Sequence, residues 1–291
     1  MKNSNYIELG ATLFVPATHK NLLHIANGEK YPNLRSVVID SEDGVDEKNL
    51  HIAIESIKNL LIELKNLNCL VFIRPKNVDV LKQFLEFEGI SKIDGFILPK
   101  FSLSNAHQYL KIIGTNYAIM PSIEGEELFN QQKLFELRDI LLHYKEQVII
   151  VRFGLEDMLR QLGMRRTCEQ SIFDMSATFN ILGNFIATFK SVGFSVSGGV
   201  YPCFEDSKGF LKDVKRDMQE GLFSKTIIHP NQIDTINELY KVTWEEFNEA
   251  CEIYGNSSAV FNQNGKMAER DTMTPYSQEI IKRAEVYGIK D

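Results

Sequence analysis

The sequence predicts a (β/α)8 barrel, a TIM barrel, with a C-terminal helical extension. Short apolar runs alternate with stretches of helical periodicity along most of the 291-residue chain. Most of the runs are continuously apolar, as expected for parallel strands that are covered on both faces. Polar residues cluster where these runs end, which is typical of the active-site rim of a TIM barrel.

Helical periodicity, with apolar residues at three- and four-residue spacing, fills the gaps between the predicted strands. The strands are Ala11–Val15, Ser36–Asp40, Leu70–Arg74, Gly95–Pro99, Tyr117–Ser122, Gln147–Arg152, Phe194–Val200 and Lys225–His229. Examples of the predicted helices are Glu47–Leu67, Val78–Glu88, Gln131–Tyr144, Glu169–Val192, Lys208–Glu220 and Pro230–Tyr240. A doubly wound sheet is the alternative, but it would need a Gly-rich loop after the first strand, where the chain has Phe14–Thr18.

The C-terminal part differs from this repeat. Thr243, with Glu246 three residues later, is typical of an N-cap and predicts a further helix. The stretch Gly255–Thr274 is rich in Gly, Asn, Ser and Thr and predicts a mobile segment before a final helix near Pro275–Tyr287. The predicted domains are a catalytic barrel, 1–254, and a C-terminal lid or docking segment, 255–291.

Composition excludes several functions. A net charge of −7 with only short basic clusters argues against a nucleic-acid partner. The densest cluster, Arg165–Arg166, is interpreted as an exposed pair, with a role in holding a phosphate or carboxylate as the alternative. Neither a signal peptide nor a membrane span is predicted, and four dispersed cysteines indicate reduced thiols, so we expect a cytoplasmic protein with no membrane partner.

Acidic and basic residues end or follow most of the predicted strands. They are Asp40, Glu42 and Asp43, then Arg74, Lys100, Glu124, Glu156 and Asp157, and finally His229. An isolated acid at such a place is often only a helix N-cap. Carboxylates that converge in a pocket repel each other, however, and a hard cation such as Mg²⁺ neutralises them. A 2-oxo acid would chelate this ion, and Arg74 would stabilise the enolate.

Seven segments at these strand ends resemble, in order, the citrate lyase β-subunit-like branch of the HpcH/HpaI aldolase superfamily. They are Leu13–Ala17, Val38–Val45, Phe72–Pro75, Leu98–Lys100, Ile123–Glu124, Gly154–Asp157 and Ile228–Ile233. The resemblance implies a Mg²⁺-dependent carbon–carbon lyase or aldolase that releases or takes up a small 2-oxo acid. It also implies an acyl-CoA thioester as partner, such as citryl-CoA or malyl-CoA, and a homotrimer or larger homo-oligomer.

Carried over position by position, the resemblance implies that Glu124 and Asp157 bind Mg²⁺, or Mn²⁺ in its place. Arg74 would bind the oxygens of the oxo acid. Glu42 and Asp43 would hold metal waters or Arg74, and one of them is our candidate for proton transfer. The remaining predicted site residues are Lys100, which would orient carboxylates, and Gly154, Leu155 and Glu156, which would contact the substrate.

Two positions depart from the family pattern. Asn264 stands where the lid segment of the family ends in Asp, and Gly198 stands where its seventh strand carries an acid. These departures favour a second hypothesis, a barrel that binds an oxo acid or a protein partner without turnover in a stress-response or tellurite-resistance-type gene cluster. Among enzymes, an aldolase that acts on a hydroxy-oxo acid without CoA is the closest alternative.

Overall fold

A seven-stranded parallel sheet forms the centre of the computed structural model, which describes residues 5–65 and 69–291. Residues 1–4, at the start where no signal peptide is predicted, lie outside this range, and so do Asn66 and Leu67, the end of one predicted helix. The strands are Thr12–Pro16 (β1), Ser36–Asp40 (β2), Leu70–Arg74 (β3), Gly95–Leu98 (β4), Ala118–Ile123 (β5), Arg152–Phe153 (β6) and Thr226–Ile227 (β7). Their order is β6-β5-β4-β3-β2-β1-β7.

Isolated bridges connect the two edges of this sheet. Val151 pairs with Val196, and Ser197 pairs with Phe223, three residues before β7 begins. All of these pairings are parallel, as are those between the seven strands. The predicted barrel architecture is therefore confirmed.

The predicted seventh strand, Phe194–Val200, is wrong as a continuous element, because only Val196 and Ser197 pair with neighbours. Two glycines follow, and a Cβ atom on Gly198 would lie 2.3 Å from the Asp217 carboxylate. The backbone of Gly198 therefore lies against the Asp217 side chain at a place where the sequence predicts pairing with a neighbouring strand. The sixth predicted strand, Gln147–Arg152, overlaps the two-residue strand β6 only at Arg152, and the eighth, Lys225–His229, contains only the two-residue strand β7.

Helices surround the sheet. In chain order they are Tyr6–Leu9 (α1), Leu22–Ala26 (α2), Leu50–Glu63 (α3), Val78–Leu85 (α4), Ala106–Ile113 (α5), Gln131–Leu142 (α6), Leu155–Gln161 (α7), Ser176–Lys190 (α8) and Ser207–Gln219 (α9). The single predicted helix Glu169–Val192 is wrong, because a separate 3-10 turn, Ile172–Asp174, precedes α8. Ser171 and Asp174 form a capping box at the N-terminus of this turn, which therefore begins separately from α8.

Apolar side chains fill the interior of the barrel. One buried cluster joins α1 to the strands and consists of Leu9, Val38, Phe72, Ile97, Ala118, Met120 and Ile150. Tyr6 and Phe14 pack against it. Because this packing occupies the interior, open space is left at the carboxyl ends of the strands.

The chain divides into two compact units, the first ending at Ile233 and the second extending from Asp234 to Asp291. In and next to the second unit lie Ile233–Leu239 (α10), Val242–Thr243 (β8), Trp244–Gly255 (α11), Val260–Gln263 (β9), Lys266–Glu269 (β10), Arg270–Tyr287 (α12) and Ile289–Lys290 (β11). The predicted cap is confirmed, because Thr243 accepts a hydrogen bond from the Glu246 amide and the Glu246 carboxylate accepts one from the Thr243 amide.

The segment predicted to be mobile, Gly255–Thr274, contains the antiparallel hairpin β9–β10, and the final helix begins at Arg270, ahead of Pro275. A role as lid or docking segment stays a prediction. Within the described residues, no helix has the length and apolar character needed to cross a membrane.

Two cysteines contradict the prediction of reduced thiols. Cys168 and Cys203 form a disulfide, with Cα atoms 5.8 Å apart, whereas Cys69 and Cys251 are free. The pair is separated by 35 positions, so only the fold brings its members together.

Candidate functional site

A cavity of about 580 Å³ opens at the carboxyl ends of the strands. Its walls include seven of the predicted site residues, namely Asp43, Arg74, Glu124, Gly154, Leu155, Glu156 and Asp157. Lys100 lines an adjoining cavity that shares Glu124 and Asp157. Glu42 is buried directly behind Arg74, to which it is ion-paired at 2.9 Å. The structure thus brings the predicted site residues together, while their chemical roles stay predictions.

Arg74 is surrounded by carboxylates. Asp40 and Arg74 are register partners on β2 and β3, and the guanidinium donates two hydrogen bonds of 2.7 Å to the Asp40 carboxylate. Glu42 and Asp43 lie 2.9 and 3.3 Å from its Nη1 atom. Burial would lower the pKa of Arg74, but the hydrogen bonds and charges of Asp40 outweigh it and raise that pKa. Sequence reasoning assigned no role to Asp40.

Glu42 and Asp43 form an unequal pair of acids beside Lys100. Burial raises the pKa of Glu42, whose carboxylate contacts the Lys100 ammonium group. Burial would also raise the pKa of Asp43, but hydrogen bonding with Glu42 and the charge of Arg74 lower it. A proton shared by the two therefore resides on Glu42.

Glu124 and Asp157 follow the neighbouring strands β5 and β6 and line both cavities. Burial, followed by repulsion from Asp157, raises the pKa of Glu124 to about 8. Its Oε1 atom accepts a 2.6 Å hydrogen bond from the Lys100 amide, and Lys100 adopts a φ of 46° in the left-handed region to direct that amide. Asp157 is paired with Arg160.

The oxygen atoms that the site offers as ligands determine which kind of metal ion it fits. Two neighbouring carboxylates of like charge are the oxygen donors that Mg²⁺ commonly takes from a protein, with water and substrate oxygens completing its shell. In residues 5–65 and 69–291, no group of three or more His, Cys, Asp or Glu side chains is arranged to hold a metal. Glu124 and Asp157 thus fit an ion that relies on water and substrate for its other ligands.

Gly154 lies against Glu124, which leaves no room for a side chain at this position. A Cβ atom there would lie 2.1 Å from Cβ of Glu124. Leu155 is buried, and Glu156 is exposed at the mouth of the cavity.

The structure also places three further residues that the sequence analysis named. Arg166 is not exposed, because it is buried and donates hydrogen bonds to Asp213 and to the Val200 carbonyl oxygen. His229 stacks on Phe204 with ring centroids 4.7 Å apart and caps the turn at Pro230 to Gln232. Asn264 lies in the turn between β9 and β10, where its amide group donates to Glu249.

Sequence reasoning also missed Arg152, Thr226 and Phe14. Arg152 was identified only as part of a strand, yet all three side chains line the cavity. The signal that identifies Arg152 is its place in a buried strand, where a charged side chain two residues before Gly154 has to face the interior.

A family model described as C-C_Bond_Lyase of the TIM-Barrel fold matches residues 3–289. The chain belongs to this family. Among the relatives of this C–C bond lyase family member is citrate lyase subunit beta of Escherichia coli (strain K12), 28% identical over 158 residues, which are 52% of this chain and 50% of that protein. The chain therefore matches only half the length of that relative. A (3S)-malyl-CoA thioesterase of Cereibacter sphaeroides (strain ATCC 17029 / ATH 2.4.9) is 20% identical over 94% of this chain and 93% of its own.

Solved structures of similar fold include CitE from Mycobacterium tuberculosis in complex with magnesium, acetoacetate and coenzyme A. It aligns with a TM-score of 0.70 and 17% identity over 96% of this chain and 99% of its own. A citrate lyase from Burkholderia xenovorans LB400 aligns with a TM-score of 0.74 and 18% identity over 97% and 93% of the two chains. At these identities the likeness shows the fold alone.

Proposed function

We propose that this C–C bond lyase family member cleaves or forms a carbon–carbon bond to a small 2-oxo acid in a Mg²⁺-dependent reaction, with an acyl-CoA thioester as the second partner. Relatives named (3S)-malyl-CoA thioesterase and, in Rattus norvegicus, citramalyl-CoA lyase support the thioester. Two solved structures from Mycobacterium tuberculosis support the metal and the oxo acid, namely a citrate lyase beta subunit with oxaloacetate and magnesium and CitE with magnesium and pyruvate. Mn²⁺ in place of Mg²⁺, a cytoplasmic location and a homotrimer or larger assembly belong to the same proposal.

The observation that carries the proposal is the pair Glu124 and Asp157. Glu124 is buried and Asp157 repels it, so a cation between them would relieve both the desolvation and the repulsion. These two residues would hold Mg²⁺, which when bound polarises the keto and carboxylate oxygens of an oxo acid. Gly154 allows the backbone after β6 to approach Glu124, and with Leu155 and Glu156 it forms the wall along which the substrate would lie.

The other polar residues have separate tasks in this proposal. Arg74, fixed by Asp40, presents positive charge to the cavity next to the developing enolate oxygen. In the cleavage direction the Glu42–Asp43 pair would take the proton of the substrate hydroxyl group and return it to the enolate carbon, with Glu42, whose pKa is raised mainly by burial, as the carrier. Asp43 shares that proton, and Lys100 orients the pair through its ammonium group while its amide orients Glu124.

Replacement of Glu124 by Gln tests the metal site. The change keeps the acceptor for the Lys100 amide but removes the charge, so we expect a loss of Mg²⁺ affinity of at least about 100-fold and loss of turnover, with the fold intact. Mg²⁺ binding is measured by calorimetry and turnover with malyl-CoA and citramalyl-CoA. The control is Glu136→Gln on the exposed face of α6, where neither value should change. Full turnover by the Glu124 variant would disprove the metal assignment.

A second candidate, oxo-acid binding without turnover, is favoured by the surroundings of Gly198. The carboxylate nearest to this glycine is Asp217, which is paired with buried Lys225 and so does not replace a missing catalytic acid. Calorimetry with oxaloacetate, pyruvate and glyoxylate, followed by an acyl-CoA cleavage assay, distinguishes the candidates. Mg²⁺-dependent binding with no cleavage of any thioester would favour the second.

A further inference from the structure

Arg152 is a buried cation in the wall of the catalytic cavity. Only 3% of its surface is exposed, and its side chain leaves β6 toward the barrel interior. Its guanidinium donates to the Thr226 hydroxyl oxygen, approaches the Met120 sulfur at 3.7 Å and lies 5.4 Å from the centre of the Phe14 ring. Among residues 5–65 and 69–291, no carboxylate forms an ion pair with it.

The other buried cations of this unit differ from Arg152, because each is matched by acids. Arg74 has Asp40, Arg166 has Asp213, and Lys225 contacts both Asp213 and Asp217. A buried charge without a counterion is unfavourable and is rarely retained without a function. Burial, assisted by repulsion from Arg74, lowers the pKa of Arg152 to about 9, so the group is still mainly charged at neutral pH.

The position of Arg152 indicates which part of a ligand it faces. Arg152 pairs in register with Ser122, two residues before Glu124, and therefore lies deeper in the barrel than the two predicted metal ligands. The remaining cations of the cavity wall are already engaged, Arg74 by three carboxylates and Arg160 by Asp157. Arg152 is thus the uncompensated positive charge at the cavity floor.

We propose that Arg152 and Thr226 form an anion subsite at the floor of this cavity, which binds the second carboxylate of a dianionic 2-oxo acid. The inference rests on the proposed function and specifies its substrate class. The guanidinium presents a planar set of donors suited to a carboxylate. Thr226 accepts from Arg152, which leaves its own hydroxyl proton free to donate to the same carboxylate. An oxo acid with an apolar side chain would leave this cation unmatched.

The effect of the second carboxylate can be measured with pairs of oxo acids that differ only at that group. Oxaloacetate and 2-oxobutyrate differ only by a carboxylate in place of a methyl group, and so do 2-oxoglutarate and 2-oxopentanoate. Calorimetry of the wild-type protein, with and without Mg²⁺, should give an affinity at least about tenfold higher for at least one dianion than for its matched monoanion. In Arg152→Met this preference should disappear while the monoanion affinity changes little, and Arg152→Lys should retain part of it.

Thermal unfolding separates this role from a structural one. Because Met has a similar length and needs no counterion, Arg152→Met should melt at the same temperature as the wild type or higher. Arg166→Met, which removes a buried arginine that does have a carboxylate partner, should melt lower.

The outcomes distinguish the subsite from the metal site. If 2-oxobutyrate binds only with Mg²⁺ but the dianion preference is absent, or survives in Arg152→Met, the subsite is wrong and the proposed function stands. If the preference depends on Arg152 but no ligand responds to Mg²⁺, the subsite stands and the metal proposal fails. If no oxo acid binds under either condition, both are wrong.

Discussion

At the scale of single residues, Asp40 determines where the Arg74 guanidinium points. The two residues are adjacent on β2 and β3, and both carboxylate oxygens of Asp40 accept hydrogen bonds of 2.7 Å from Arg74. The same oxygens accept hydrogen bonds of 2.9 Å from the backbone amides of Glu42 and Gly44, and these bonds fix the loop that carries Glu42 and Asp43. One buried carboxylate thus positions both the cation and the acids beside it.

We predict that Asp40→Asn lowers the free energy of unfolding by about 3 kcal/mol, because it leaves a buried guanidinium short of its main partner. Urea unfolding at neutral pH measures the change. Asp43→Asn is the matched control, because the Asp43 side chain is 55% exposed and its pair with Arg74 is longer, at 3.3 Å. That exposed pair should contribute less than about 1 kcal/mol. Equal losses in the two variants would contradict the central position of Asp40.

The strand-end residues were predictable because parallel strands bring their carboxyl ends to one rim, so Arg74 and Glu124 could be placed near each other from the sequence. Asp40 and Arg152 were not assigned roles. The contribution of Asp40 depends on its register with Arg74, and that of Arg152 on the residues that surround its guanidinium group. These relations exist only between segments distant in the chain.

At the scale of elements, the loop that follows the glycine pair is held by side chains. Arg166 donates to the Val200 carbonyl oxygen, and Val200 lines the cavity. The Tyr201 hydroxyl group lies 2.9 Å both from the Cys168 carbonyl oxygen and from the Asp206 carboxylate. With the disulfide from Cys168 to Cys203, these contacts hold a segment that has no strand pairing after Ser197 in the described structure. The sequence could not predict them, because Cys168 and Cys203 carry no pairing signal.

We predict that Cys168→Ser destabilises the oxidised protein by about 3–4 kcal/mol, the loop-closure contribution of a disulfide of this spacing. Urea unfolding of wild type with a reductant should show the same loss, whereas the variant should not respond to the reductant. Thiol titration of the denatured wild type without reductant should find two reactive cysteines, Cys69 and Cys251. Four reactive thiols and no response to reductant would restore the original prediction of reduced cysteines.

At the scale of the first unit, the barrel is closed by different means around its circumference. β1 to β5 pair through continuous registers, whereas the seam between β6 and β7 has only isolated bridges. A buried charge cluster lies at this seam, in which Lys225, next to β7, contacts Asp213 and Asp217 of α9, and Arg166 contacts Asp213. The Asp217 carboxylate also lies against Gly198, where a Cβ atom would be 2.3 Å from its Oδ2 atom. Side-chain ion pairs therefore supplement backbone hydrogen bonds where the sheet is weakest.

This closure makes stability depend on pH. Burial raises the pKa of Asp217 to about 7 from 3.8, with repulsion from Asp213 adding to the rise and with Lys225 and Arg166 opposing it. Between these two values the folded protein retains a proton that the unfolded chain releases, so the contribution of Asp217 to stability declines as pH rises from about 4 to about 7.

Asp217→Asn tests this prediction, because the Asn side chain cannot ionise. We expect the unfolding free energy of the wild type to fall relative to that of the variant as pH rises from about 4 to about 7. Above pH 7 the difference between the two proteins should stay constant. Urea unfolding at a series of pH values measures this difference, with Glu136→Gln on the exposed face of α6 as the control for the removal of a carboxylate. A constant difference for Asp217→Asn would mean that Asp217 is ionised throughout and that the ion pair with Lys225, not burial, governs its charge.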